Sequence, residues 1–230
     1  MSATRIEWAD KVWNPVTGCT PISAGCEHCY AKRMATRLAG RVGYPADDPF
    51  RVTLHSDKMG EPRTWRKPQR VFVCSMGDLF HDAVPYEWIR DVFQMMMFTA
   101  PQHTYMILTK RPERLMKWML INYDPETMYR FRDLYPHIWL GVTAENQRQA
   151  DIRVPILLSI PATVHFVSVE PMLGRVSFVG WPVRPEWIIA GPETGPGARA
   201  MDHFEFQKLM EESPCFFDKR IHGERREFPI

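Results

Sequence analysis

No stretch of this 230-residue chain approaches the ~18 consecutive apolar residues of a membrane span. Its opening, MSATRIEWADKVW, also lacks the apolar core of a secretory signal. We therefore expect a cytoplasmic protein with no membrane partner. Neither sign of charge is in excess: Lys+Arg 29 against Asp+Glu 27 leave a formal +2. Bulk charge thus neither demands nor excludes nucleic acid, and only a local basic patch argues for it. Cysteine is scarce, five residues and an odd count, which argues against the evenly paired framework of a small secreted scaffold. Internal repeats and low-complexity tracts are missing too. The 45% of hydrophobic residues suffices for the core of one domain over 1–230, with its body at about 5–200 and a short tail at 201–230.

What recurs along the chain is a short apolar run, a polar turn and a helix-like stretch. The runs are Arg51–His55, Arg70–Cys74, Thr104–Leu108, Ile138–Val142, Val164–Val169 and Trp187–Ala190. Near-continuous Val, Ile, Leu and Phe suit strands buried on both faces, as in parallel sheets. Helices are expected at Cys29–Gly40, Tyr86–Thr99, Pro112–Asn122, Asn146–Ile160 and Asp202–Glu212. Pro112 stands at a first helical position and Asp202 is an N-cap. The Met95–Met97 cluster reads as core packing. Alternating strands and helices predict an α/β fold, either a barrel or an open sheet. Nearly every strand also runs into a polar cluster at its carboxyl end: Ser75–Asp78, Thr109–Arg111, Thr143–Asn146, Ser168–Pro171 and Gly191–Gly195. Ligands of parallel α/β proteins sit at that end, so five such clusters in succession predict one ring-shaped site.

Three of the five cysteines, Cys19, Cys26 and Cys29, fall within eleven residues as Cys-x6-Cys-x2-Cys, in a Gly- and Pro-containing loop that enters a helix. Such a loop wraps closely around a metal centre. Three thiolates hold three corners of a [4Fe–4S] cube and leave one iron open, whereas full thiolate ligation takes four. A structural zinc site completed by His28, His55 or His81 stays open as a reading, although structural zinc motifs usually pair two matched ligand sets and no second Cys-x2-Cys is present. Plain buried thiols are the third reading.

The segment CEHCYA, with Tyr30 directly after the last cysteine, resembles the cluster loop of radical S-adenosylmethionine (SAM) enzymes, though the first interval is x6 rather than the commoner x3. The succession RVTLHSDKMGEP, RVFVCSMGD and YMILTKRPERL resembles the spore-photoproduct-lyase-like branch. More closely, the chain is similar to a phage- and prophage-encoded family of radical-SAM-like proteins, through Trp-Asn-Pro-x-x-Gly-Cys at 13–19 and Ser-Met-x-Asp-Leu-Phe-His at 75–81. Leu-Thr-Lys-Arg-Pro at 108–112, Gly-Val-Thr-x-Glu-Asn at 141–146, Val-Ser-x-Glu-Pro-Met-Leu at 167–173 and Gly-Pro-Gly-Ala-Arg at 195–199 continue the match. Two places depart from the pattern: Gly191-Pro192-Glu193 replaces Gly-Gly-Glu, and the tail reads CFFDKRIHG rather than Phe-Phe-Lys-Gln-Trp-Gly.

The resemblance implies a partial (β/α)6-type TIM-like radical SAM barrel, in the host cytoplasm if phage-encoded. Cys19, Cys26 and Cys29 would ligate a [4Fe–4S] cluster whose open iron chelates SAM. An electron donor such as a flavodoxin or ferredoxin would drive cleavage to a 5′-deoxyadenosyl radical. Tyr30 would lie beside the cofactor, Ser75 and Asp78 would meet the SAM ammonium, and Lys110 its carboxylate. Thr143, Glu145 and Asn146 would contact ribose hydroxyls, and Glu170 and Glu193 would face adenine or substrate. An ion pair of Glu193 with Arg199 that closes the last loop is an equal alternative, and Cys74 would point into the core. The implied substrate is DNA or a modified nucleobase, with isomerisation of an amino-acid-modified thymine such as glycinyl-thymidine as the leading expectation. Phosphates would be met by Arg63, Arg66, Lys67, Arg70, Arg111, Arg114 and Lys117. The alternatives are a photoproduct-lyase-like repair enzyme and a non-catalytic zinc-binding nucleic-acid or protein interaction module.

Overall fold

Short β-branched and aromatic runs set this architecture, because each is apolar on both faces and must be covered twice. In a computed structural model, residues 4, 6–220 and 225–229 are described. The chain begins with β1 (Lys11–Trp13), β2 (Val16–Thr17), α1 (Tyr30–Arg37), β3 (Thr53–Leu54), β4 (Arg70–Val73) and α2 (Tyr86–Gln94). It continues through β5 (Thr104–Thr109), α3 (Pro112–Asn122), α4 (Pro125–Leu134), β6 (Ile138–Thr143) and α5 (Gln147–Leu158). The last elements are β7 (His165–Val169), β8 (Trp187–Ala190), α6 (His203–Glu212) and β9 (Phe216–Asp218).

Seven strands form one all-parallel sheet in the order β1-β4-β5-β6-β7-β8-β9, which follows the chain once β2 and β3 are set aside. Crossovers of one hand, all stepping in one direction, put the helices on one face and curl the sheet. The result is an α/β half-barrel. On the helical face Val71, Val73, Tyr105, Ile107, Leu140, Val142 and Val167 pack with Phe93, Trp118, Phe131, Leu157 and Phe206. The alternate residues Phe72, Met106, Phe166, Trp187, Ile189 and Phe217 line the opposite face, where Trp8 packs on them. Gly141 permits this: a Cβ there would stand 2.5 Å from the Phe166 ring. Among the described residues no helix is long and apolar enough to cross a membrane.

Several elements differ from the reading of the sequence. The Arg51–His55 run supplies only β3, which pairs antiparallel with β2 outside the main sheet. With Thr53 half-buried and Leu54 exposed, it fits a surface ribbon rather than a strand covered on both faces. Strands β1 and β9 are three residues each and escape notice. Helix α4 was also missed, although Asp124 accepts from Glu126 N and Thr127 N, both at 3.0 Å, ahead of Pro125 at the first position. That Asp-Pro-Glu start was a usable signal. Helix α2 stops at Gln94 and continues as a π-helical turn, Met95–Thr99, with Met96 and Met97 buried. Asp202 caps α6 as expected, accepting from Phe204 N and Glu205 N.

Candidate functional site

The cysteine loop is anchored at both ends. Gly18 has φ +84, and a Cβ there would lie 2.2 Å from the Arg51 carbonyl oxygen. Its N–H donates to Met76 O at 2.9 Å, while Cys19 N donates to Phe50 O at 3.2 Å. Gly18→Ala would combine a left-handed penalty of roughly 1–2 kcal/mol with a backbone collision. We expect this variant to melt well below the parent in a thermal scan, and an unchanged midpoint would refute the close approach. At the other end, α1 begins directly after Cys29, whose carbonyl accepts Arg33 N at 3.2 Å.

Two arginine–carboxylate pairs, one buried and one half-buried, hold the middle of the loop. Glu145 Oε1 accepts Gly25 N at 3.1 Å and its Oε2 accepts Arg153 Nη1 at 3.0 Å, with Arg153 also donating to Thr143 O at 2.7 Å. Burial opposes ionisation of Glu145, but hydrogen bonds from Ser23 and Gly25 and the Arg153 charge outweigh it and lower its pKa. Arg199 donates to Ala24 O at 3.0 Å and Glu27 Oε2 at 2.8 Å, and through Nε to Glu193 Oε2 at 2.9 Å. The Arg199 hydrogen bonds bring the Glu193 carboxyl down to about 2.

Beneath Cys19 lies a third network. Asp78 accepts from Thr109 Oγ1 at 2.8 Å, Lys110 N at 3.2 Å, Phe80 N at 3.0 Å and Arg111 Nη1 at 3.1 Å. Arg111 Nη1 also lies 3.4 Å from Cys19 Sγ. Burial and the Asp78 charge raise the Cys19 thiol despite Arg111. Cys26 moves the other way: burial is outweighed by the Lys110 charge and by hydrogen bonds from Ile22 and Ser23, which favour its thiolate.

These parts frame a cleft of about 620 Å³ at the carboxyl ends of the strands. Cys19, Cys26 and Cys29 all line it, together with Tyr30, Ser75, Asp78, Lys110, Thr143, Glu170 and Glu193. The Tyr30 hydroxyl donates to Ser75 O. Cys74 is buried in the core with φ +57, and burial raises its thiol pKa. The left-handed turn at Cys74 swings the chain from β4 into the Ser75–Asp78 turn.

Two of the expected site residues lie off the cleft lining, and two that line it are engaged with protein partners, Glu193 in the ion pair expected as its alternative. Glu145 does not line the cleft; it is fully buried and fastens the cysteine loop. Asn146 does not line it either, its Oδ1 capping α5 by accepting Gln149 N at 3.1 Å. Asp78 spends its oxygens on protein donors, and Glu193 forms the loop-closing ion pair. The expected phosphate contacts shift as well: Arg70 is held by Asp10, Arg111 is buried, and Arg114 donates to the carbonyls of His81 and Val84. Lys117 is exposed on α3, away from the cleft lining. Arg63, Arg66 and Lys67 are exposed but precede the amino end of β4, opposite the cleft. The sequence reading missed Lys219, which pairs with Glu170 in the cleft lining once β9 joins the sheet. Nothing local in the tail signals this, and tail residues 221–223 lie outside the described residues.

Among the described residues, no three His, Cys, Asp or Glu side chains gather as ligands of a single metal ion. A mononuclear site needs its donors converging on one point, whereas a cube takes each thiolate at a different iron. Three thiols around one cleft, one of them favoured as thiolate, therefore fit a cluster as a donor set. No curated protein and no solved structure matches the chain. A family model described as "protein of unknown function (DUF5131)" matches residues 3–216, and the chain belongs to that family.

Proposed function

We propose that this chain is a radical SAM enzyme that carries a [4Fe–4S] cluster on Cys19, Cys26 and Cys29. The observation that carries the reading is the convergence of these three thiols on one cleft at the carboxyl ends of parallel strands. We read β4–β9 as the partial (β/α)6-type barrel, with β1 added at its edge. When bound, such a cluster supplies one electron that splits a C–S bond of SAM and yields a carbon radical able to abstract a hydrogen atom. The chain's own groups do the rest. Lys110 offers a cation to the SAM carboxylate, Thr143 a hydroxyl to ribose, and Glu170 and Lys219 a paired charge at the far rim. The walls exclude water from the reacting centre. The test is 5′-deoxyadenosine formation by anaerobically reconstituted protein given SAM and a one-electron reductant such as a flavodoxin or ferredoxin. No product above a Cys26→Ala control would overturn the reading.

For the substrate we propose an amino-acid-modified thymine in DNA that is isomerised in the cleft, with product mass on glycine-modified and on irradiated DNA separating isomerase from photoproduct lyase. Support comes from the cleft mouth. Residues 30–46 include Lys32, Arg33, Arg37 and Arg41 and no Asp or Glu. Lys32, Arg37 and Arg41 are exposed on or just after α1, the helix whose half-exposed Tyr30 and Met34 line the cleft. Cations interleaved with apolar and aromatic surface suit phosphates and unstacked bases. Charge reversal at Lys32, Arg37 and Arg41 should weaken DNA binding at least tenfold and flatten its salt dependence by about one unit per lost phosphate contact. The same reversal at Arg63, Arg66 and Lys67 should change affinity little. Fluorescence anisotropy at several salt concentrations reads both, and the opposite ranking would refute this surface.

A further inference from the structure

We propose that Arg111 is a positioning residue that raises the reduction potential of the cluster by donating a hydrogen bond to the Cys19 sulfur. The inference rests on the cluster reading above and adds a function for a residue that the sequence reading had assigned to phosphate. Arg111 is 8% exposed and its guanidinium is engaged on both arms. Nη1 reaches Cys19 Sγ at 3.4 Å and Asp78 Oδ2 at 3.1 Å. Nη2 donates to Thr20 O at 3.1 Å and Thr20 Oγ1 at 3.2 Å. The backbone is fixed as well, because Arg111 N donates to Thr109 Oγ1 at 2.9 Å and that hydroxyl donates to Asp78 Oδ1 at 2.8 Å. His81 completes the frame: its Nδ1 accepts Ala83 N at 3.0 Å, so Nε2 carries the proton and donates to Thr20 Oγ1 at 2.9 Å. The fork therefore cannot swing away from the sulfur without breaking several bonds.

Adding an electron makes a thiolate-bound cluster more negative. A fixed cation and N–H donor at a ligand sulfur favour that reduced state, whereas the adjacent Asp78 carboxylate opposes it. In a site screened from water both effects gain weight. The two residues should thus move the potential in opposite directions, which a purely structural role does not predict.

The experiment is an EPR-monitored redox titration of reconstituted full-length protein with iron and sulfide counted first. Arg111→Gln should keep its iron and shift the midpoint negative by at least about 59 mV, a tenfold change for a one-electron couple. Arg111→Lys, which keeps the charge but loses the fork, should shift it less. Asp78→Asn should shift it positive. An unmoved midpoint in an iron-loaded Arg111→Gln protein, or shifts of the same sign in Arg111→Gln and Asp78→Asn, would overturn the proposal. Should Arg111→Gln not fold, Arg111→Lys and Asp78→Asn decide by their signs. A parent protein without iron defeats the cluster reading itself, and that is known before any variant is titrated.

Discussion

Replacing Cys26 with alanine should take the reconstituted protein from about four iron per chain to almost none and reduce 5′-deoxyadenosine to background, while the melting temperature of the metal-free chain stays within error. The two halves of this expectation have separate causes. Two thiolates cannot retain a cube. Cys74 also borders the cleft, but it is buried at the end of β4 with its thiol held protonated by burial, and Cys215 lies on the tail outside the lining. The fold, by contrast, asks little of Cys26. It is half-buried, and its sulfur is met by weak contacts from its own loop, Ile22 and Ser23, with Ser23 Oγ at 3.9 Å. Substitutions of that kind usually stay within about 0.5 kcal/mol. Iron assay, chromatography of the nucleoside and a thermal scan of metal-free protein measure the three quantities. Retained iron would show that Cys26 is not a ligand.

Arg153→Ala should be the most destabilising single change in the frame of the cleft. Arg153 and Glu145 are 3% and 0% exposed and meet at 3.0 Å. Removing one partner of such a pair strands a charge and costs about 3–5 kcal/mol. In a protein of this size that corresponds to a fall of roughly 6–20 °C in melting temperature. The loss extends to the site, since Glu145 also receives Gly25 N and the Thr143 carbonyl loses its Arg153 donor. The double variant Glu145→Gln with Arg153→Met removes both charges and keeps an acceptor for Gly25, so it should recover most of the stability. Urea titrations of the three proteins measure this, and a loss below about 1 kcal/mol for Arg153→Ala would contradict the pairing.

The parallel sheet was legible because its strands are apolar on both faces: Arg70–Val73, Thr104–Thr109 and Ile138–Thr143 carry almost no polar residue that a solvated face would need. The strands at the two edges were not, because three residues such as Lys11–Trp13 or Phe216–Asp218 carry too little pattern to separate from a loop. The three cysteines stand out by their spacing, and Ser75, Asp78, Lys110, Thr143, Glu170 and Glu193 of the carboxyl-end clusters all border the cleft. The residues that hold the site were misread. Arg111 looks like a surface cation until Thr20 and Asp78 are brought against it from 91 and 33 residues away. Glu145 looks like a ligand group because its partners, Gly25 and Arg153, are set by tertiary packing. Polar residues in a loop state their chemistry in the sequence but not whom they face.

The most direct measurement is the EPR spectrum of the anaerobic, dithionite-reduced protein before and after SAM is added. A cluster held by three thiolates with one iron open should give a reduced [4Fe–4S] signal whose shape changes when SAM binds that iron. Colourless protein containing one zinc per chain, or a cluster signal indifferent to SAM, would contradict the account.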